Sequence, residues 1–273
     1  MDRITLRDGN EVPRIGLGTW QLTGARCTES VTEAIGMGYR HIDTAFAYGN
    51  HAEVAAGIEQ SGVRRDELCV TTKIPLGKQS RSQVIQQGDK LTEQLRTDYV
   101  DLLLIHWPDR DVPFEETLGA MKELVDRGTV RSVGISNFNP DLVQQADSVS
   151  PVPIVTNQVE FHPLLYQKKL LDTCRSLDVT VTAYSPLARG EAAANDRLAE
   201  IGRAHDASAA QIAIAWLLAH GIIAIPKASS AEHLRSNLEA TDMELSDDEV
   251  ARIDGFGDHR RLLDGPWKHF PLE

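Results

Sequence analysis

Three strand-like segments each carry a side chain that a buried strand has no packing reason to hold. They are Asp43, followed by Tyr48, in HIDTAFAYGN, Lys73 in LCVTTKI, and His106 in YVDLLLIHW. As a set they have a chemistry. A tyrosine hydroxyl ordinarily titrates at about 10, too high for easy proton exchange at neutral pH, and a neighbouring ammonium stabilises the phenolate and lowers that value. Lys73 can supply the ammonium, and Asp43 can keep Lys73 charged against the desolvation of a strand interior. His106 can donate a hydrogen bond to a carbonyl oxygen and orient it. A carbonyl so polarised, and given a proton by Tyr48, lacks only a hydride. No side chain provides one, so a nicotinamide cofactor is implied.

Singly, each residue has an ordinary use: Asp43 as a helix cap, Lys73 in solvent, His106 as a satisfied core histidine. Their common position argues for the set. Short β-branched runs alternate with amphipathic segments along the chain. The strand candidates are RIGLGTW, HIDTA, LCVTTKI, YVDLLLIHW, VRSVGISN, IVTNQVEF, VTVTAYS and IIAIPK. The helix candidates are residues 29–37, 52–60, 82–95, 114–126, 140–146, 167–176, one long stretch over 197–220, and 230–240. Asn139-Pro140 reads as a cap followed by proline, and Ser208 with Gln211, Ser229 with Glu232 and Ser246 with Glu249 read as capping boxes.

Strands apolar on both faces, each followed by a helix, predict an α/β fold: a (β/α)8 TIM barrel formed by residues 1–273 as one domain. A doubly wound open sheet is the alternative. Against it, Gly16-Leu17-Gly18-Thr19-Trp20-Gln21 lacks the third glycine of a dinucleotide fingerprint and leads into no immediate helix. ITL and EVP around Asp8-Gly9-Asn10 predict an N-terminal β-hairpin plugging one mouth. A capped helix near residues 246–254 packs outside, and the C-terminal tail HRRLLDGPWKHFPLE is free to reach over the active-site mouth. In such a barrel the site lies at the C-terminal strand ends, where this chain sets Asp43 and Tyr48, Lys73, His106, Ser136 and Asn137, Gln158, Tyr184 and Ser185, and Lys227.

These segments resemble those of the aldo-keto reductase superfamily over nearly the whole chain, with the layout of its bacterial and archaeal 2,5-diketo-D-gluconate and methylglyoxal reductase group. GYRHIDTAFAYGN resembles the signature around the catalytic aspartate and tyrosine, TTKI the lysine segment, LLLIHWP the histidine segment, VGISNF and NQVEFHP the nicotinamide-amide contacts, and AYSPLARG the segment with the stacking tyrosine. The resemblance implies NADPH extended over the C-terminal mouth without a Rossmann fold. It assigns Ser136, Asn137 and Gln158 to the carboxamide, Tyr184 to stacking on the nicotinamide, and Ser185 and Leu187 to the pyrophosphate path. IPKASSAEHLRSNLEA resembles the grip on the adenosine 2'-phosphate, with Lys227, Ser229, Ser230 and His233 as candidates and Asn237 at an adenine-contacting position. A helix N-terminus after a strand-end lysine is an anion site on physical grounds too.

The chain departs from the family pattern at Ala228, where a serine or threonine is usual, and at His233, where an arginine is usual. A neutral imidazole is a weaker phosphate partner than a guanidinium fork, so the preference for NADPH over NADH is kept but reduced. His51-Ala52 replaces the usual acidic pair after Asn50, with Glu53 retained. Trp20, Phe46, Trp107 and Trp267 are candidates for an aromatic pocket around a small carbonyl substrate.

Two other readings are open. In one, Lys73 is a Schiff-base nucleophile, which its pairing with Asp43 disfavours because a charged lysine is a poor nucleophile. In the other, the chain is an NADP-binding redox sensor with little turnover. The net charge of -12 argues against nucleic acid or anionic membrane as a partner. Three scattered cysteines, Cys27, Cys69 and Cys174, indicate neither a disulfide framework nor a metal site. MDRITLRDG has no apolar signal region, and AAQIAIAWLLAHGIIAIP is too interrupted to span a bilayer. A cytoplasmic monomer is expected.

Overall fold

The computed structural model describes residues 2–263, so Trp267 lies outside the described residues. Two short strands, β1 (Arg3–Thr5) and β2 (Glu11–Pro13), pair antiparallel. Eight more follow: β3 (Leu17–Gly18), β4 (His41–Asp43), β5 (Cys69–Ile74), β6 (Val100–Ile105), β7 (Val130–Ser136), β8 (Ile154–Glu160), β9 (Thr180–Tyr184) and β10 (Ile223–Ala224). These pair in parallel in chain order. The open-sheet alternative fails at the ends of that order, because β3 and β10 meet: Gly16 N–H donates to Ala224 O at 2.9 Å and Ala224 N–H to Arg14 O at 2.9 Å. The sheet is a closed barrel, and β5 and β8 are buried along their whole lengths, as parallel strands covered on both faces must be.

The barrel helices are α1 (Gly24–Met37), α2 (His51–Ser61), α3 (Arg81–Leu95), α4 (Phe114–Asp126), α5 (Pro140–Val149), α6 (Lys168–Ser176), α7 (Asp196–Gly202), α8 (Ala209–Ala219) and α9 (Ala231–Glu239), with α10 (Asp247–Asp254) outside them. The long helical stretch expected over 197–220 is broken into α7 and α8. Asp206 takes φ 50°, Ala207 O comes within 2.3 Å of where a Gly202 Cβ would stand, and Ser208 restarts the helix with a capping box. The expected Ser229–Glu232 box moves by one residue, since Ser230 is the cap of α9 and accepts from His233 N–H. Asn139 and Ser246 cap as expected.

The hairpin closes the N-terminal mouth. Its turn is tied to β7 by Asn10 Nδ2 donating to Ser132 Oγ at 3.0 Å and Ser132 Oγ donating to Asp8 Oδ2 at 2.7 Å. Leu6 and Val12 pack with Leu102, Leu104, Val155, Ile223 and Ile225 inside the barrel. At the opposite mouth, the C-terminal segment lies against the end of β8: Leu262 and Leu263 donate their N–H groups to the Glu160 carboxylate at 2.7 and 2.9 Å. Among the described residues no helix is long and apolar enough to cross a membrane.

Gly18 explains part of the early glycine pattern. A Cβ there would stand 2.6 Å from the backbone oxygen of Ile225, the residue just past β10, the strand that closes the barrel. Gly18→Ala is expected to destabilise the fold by about 1–3 kcal/mol, read by chemical denaturation, because backbone rather than a flexible side chain must give way.

Candidate active site

The strand ends gather the polar residues at one mouth. Asp43 ends β4, Lys73 is next to last in β5, His106 follows β6, Ser136 ends β7, Gln158 lies in β8 and Tyr184 ends β9. The short turn after β4 that carries Phe46 and Tyr48 brings the phenol back over β5.

At the centre is an ion pair. Lys73 Nζ donates to Asp43 Oδ1 at 2.6 Å, to Thr44 O at 2.8 Å and to the Tyr48 hydroxyl at 3.4 Å. Lys73 is 0% and Asp43 1% exposed. The His106 ring meets that of Tyr48 edge-on at 5.8 Å. Burial pulls Lys73 below its ordinary range while Asp43 opposes the fall. Burial, with Asp43 adding to it, pushes Tyr48 well above the ordinary tyrosine value. The expectation that Lys73 lowers Tyr48 is therefore not met in the free protein. The phenolate would have to form out of water, and the ammonium nearest to it is already matched by Asp43. His106 falls to about 3 through burial, reinforced by the charge of Lys73, so its imidazole is neutral at ordinary pH.

A second group is joined to the first by hydrogen bonds. Gln158 Nε2 donates to Asp43 Oδ2 at 2.7 Å, and Ser136 Oγ donates to Gln158 O at 2.7 Å. Asn137, at φ 65°, donates through Nδ2 to His106 O at 2.9 Å and to Ser136 Oγ at 3.1 Å. Tyr184 O–H donates to Asn137 Oδ1 at 2.7 Å. Ser185, at φ 49°, turns the chain sharply away from β9, and half-buried Leu187 follows it.

Around the rim, Lys227 and His233 are exposed, Ser230 is used as the cap of α9, and Asn237 is buried. Ser229 O accepts from the Arg26 guanidinium. Trp20 is 39% exposed, with the Arg189 guanidinium 5.0 Å over its ring. Phe46 packs edge-on against His51 at 4.7 Å, and Trp107 O accepts from Gln79 Nε2 at 2.7 Å. Arg26, Arg189 and Gln79 are rim residues that the sequence reading missed. Their partners are far along the chain or on another loop, so no local pattern of residue types marked them. His51, the departure from the acidic pattern, is buried between Gln94 Oε1 and Thr72 Oγ1, both at 2.9 Å. A surface hollow of about 720 Å³ lined by Arg65, Thr97 and Tyr99 lies at the other end of the strands, away from this group.

A closed eight-stranded barrel with a lysine–aspartate pair, a tyrosine and a neutral histidine at its C-terminal mouth defines a class of oxidoreductase. The sequence profile of the Aldo/keto reductase family matches residues 14–258, and the chain belongs to that family of NAD(P)H-dependent oxidoreductases. It is 37% identical over 272 residues to the 9,11-endoperoxide prostaglandin H2 reductase of Trypanosoma cruzi, covering 98% of this chain and 96% of that one. It is 37% identical over 266 residues to the glyoxal reductase of Bacillus subtilis, covering 97% and 96%. The solved structure of the Bombyx mori aldo-keto reductase in complex with NADP superposes with a TM-score of 0.91 at 33% identity, covering 99% of this chain and 98% of that one.

Buried histidines make the fold acid-sensitive. From an ordinary value of 6.5, burial lowers His41 to about 4 and His106 to about 3. The unfolded chain takes up these protons first, so their contribution is complete above 6.5 and is lost as pH falls, by up to ~1.4 kcal/mol per pH unit for each. Urea unfolding at a series of pH values is expected to show this decline toward about pH 4.

Proposed function

We propose that the chain reduces small aldehydes, ketones or α-dicarbonyls to alcohols with NADPH, Tyr48 giving the proton. The contact of Lys73 with both Asp43 and the Tyr48 hydroxyl carries this reading. The residues present suit the cofactor: Tyr184 offers an aromatic ring tied to the Asn137 amide, and Lys227 stands before the N-terminus of α9. Ser136, Asn137 and Gln158 would hold the carboxamide, Tyr184 the ring, Ser185 and Leu187 the pyrophosphate, and Lys227, Ser229, Ser230, His233 and Asn237 the adenosine end. When bound, the reduced nicotinamide supplies the hydride that no side chain has.

The rest falls to the protein. Neutral His106 donates to the carbonyl oxygen and fixes its direction. As the carbonyl carbon is reduced, the oxygen takes the Tyr48 proton, leaving a phenolate beside the Lys73 ammonium, to be reprotonated from solvent. A raised tyrosine pKa is no obstacle, because an alkoxide is far more basic than any phenolate and the raised value keeps the donor loaded. Trp20, Phe46 and Trp107 would line the substrate's approach. The relative named for glyoxal reduction supports a dicarbonyl among the substrates. The Schiff-base reading is disfavoured, because a lysine with 0% exposure whose ammonium is engaged by Asp43 and Thr44 O presents no free electron pair to a substrate.

Tyr48→Phe is expected to lower kcat with methylglyoxal by roughly 10²–10⁴-fold while NADPH binding, followed by fluorescence, is unchanged. Binding without turnover in the parent protein across a broad carbonyl panel would favour the redox-sensor reading instead. His233→Arg is expected to tighten NADPH about tenfold with little change for NADH, measured as the ratio of dissociation constants.

A further inference from the structure

Gln158 has a contact that its carboxamide assignment does not require. Its side-chain amide donates to Asp43 Oδ2 at 2.7 Å, and Lys73 holds the other oxygen at 2.6 Å. The amide's orientation is fixed by chemistry, since an ionised carboxylate only accepts. No other donor reaches the Asp43 carboxylate among the described residues, and Asp43 is 1% exposed, so water does not substitute. Gln158 Oε1 accepts no hydrogen bond among the described residues and is not among the buried unpaired atoms.

The backbone is built to make this contact. Val155 packs into the barrel interior with Leu6, Leu102 and Leu104. A regular strand with Val155 inward would turn Gln158 outward, because side chains alternate. The register between β7 and β8 instead slips, from Val133 opposite Ile154 to Ile135 opposite Asn157, and the extra residue turns Gln158 to the axis. Ser136 Oγ and Asn137 N–H both donate to the Gln158 carbonyl, at 2.7 and 3.0 Å, and pin it there.

We propose that Gln158 is a positioning residue for proton donation: its amide N–H holds Asp43 against Lys73, so that the carboxamide pocket and the Asp43–Lys73–Tyr48 relay share one side chain. The role of Tyr48 in this rests on the reading given above, whereas the hold on Lys73 does not. Without the amide, Asp43 keeps one buried oxygen with no partner, its ionised form is disfavoured, and Lys73 loses the countercharge that opposes its desolvation. The other titratable groups that feel the pair are His41 from β4, His51 from α2, Cys69 from β5, His106 beyond β6 and Tyr48; burial pushes the three histidines and the thiol toward neutrality. Asp43 and Lys73 are left as the facing charges.

The test compares the full-length protein with Gln158→Met, which removes the donor at similar size, and Gln158→Glu. The Lys73 Cε resonance is titrated by NMR without cofactor, alongside the NADPH dissociation constant and the pH profile of kcat. Gln158→Met is expected to lower the Lys73 titration by about one unit and to move the basic limb of kcat with it. Gln158→Glu either donates when protonated or adds negative charge when ionised, and is expected to leave Lys73 at or above its wild-type value. Identical Lys73 titrations in wild type and Gln158→Met, with only weaker NADPH binding, would overturn the proposal. If the Met variant does not fold, a lowered Lys73 titration in the Glu variant overturns it equally. A parent protein that turns over no carbonyl compound would remove the reductase reading, yet the Lys73 titration would still decide the hold of Gln158 on the pair.

Discussion

A lysine and an aspartate with almost no exposure, 2.6 Å apart, are the constraint around which this site is built. Removing two charges from water costs several kcal/mol for each, and their attraction offsets that cost only when the remaining donors and acceptors are also satisfied. Thr44 O and the Tyr48 hydroxyl meet Lys73, and Gln158 meets Asp43. These partners come from the residue just past β4, from the turn that follows, and from β8. A closed barrel brings such distant strands to one axis; an open sheet would leave β8 four strands away from β4.

The same closure separates a stable end from a reactive one. Beneath the ion pair, His41 bonds Thr71 Oγ1 at 2.9 Å and Thr156 bonds Thr182 at 2.9 Å, and below them the hairpin's Leu6 and Val12 complete an apolar floor. Polar side chains are thus paired inside the barrel before the floor is sealed, although His41 Nδ1 is buried without a partner among the described residues. The mouth is held differently, by loops that cross it: Arg189 over Trp20, Gln79 on the Trp107 carbonyl, and two tail amides on Glu160.

Much of this was legible in the sequence because it is periodic and local. The strands appear as apolar or threonine-rich runs such as CVTTKI, and Asp43, Lys73 and His106 stand out as polar residues at the ends of such runs. Local chemistry was also where reading slipped by small steps. SS before AEHL offers two equivalent caps, and the backbone chose Ser230. The run over 197–220 has helical composition throughout, and only the left-handed turn at Asp206 divides it. Contacts that depend on tertiary closeness left no local trace. Arg26 reaches Ser229 across the barrel seam, and Gln158 faces Asp43 only because of a register slip that no pattern of residue types announces.

Burial also sets the charge state of the two groups that the proposed reaction would use on a carbonyl oxygen. Burial pushes Tyr48 up and His106 down, so both meet a substrate as neutral hydrogen-bond donors. Two neutral donors suit a carbonyl that is about to gain negative charge on oxygen, since they stabilise that charge without first paying to bury one of their own. On the proposed assignment, alcohol oxidation would ask Tyr48 to start as a phenolate in the same desolvated place. Lys73 makes that state attainable, but Asp43 has already claimed most of its charge at 2.6 Å against 3.4 Å for the phenol. How far Lys73 can serve a phenolate is therefore set by how tightly Asp43 holds it, and that hold is part of the same buried pair on which the site is built.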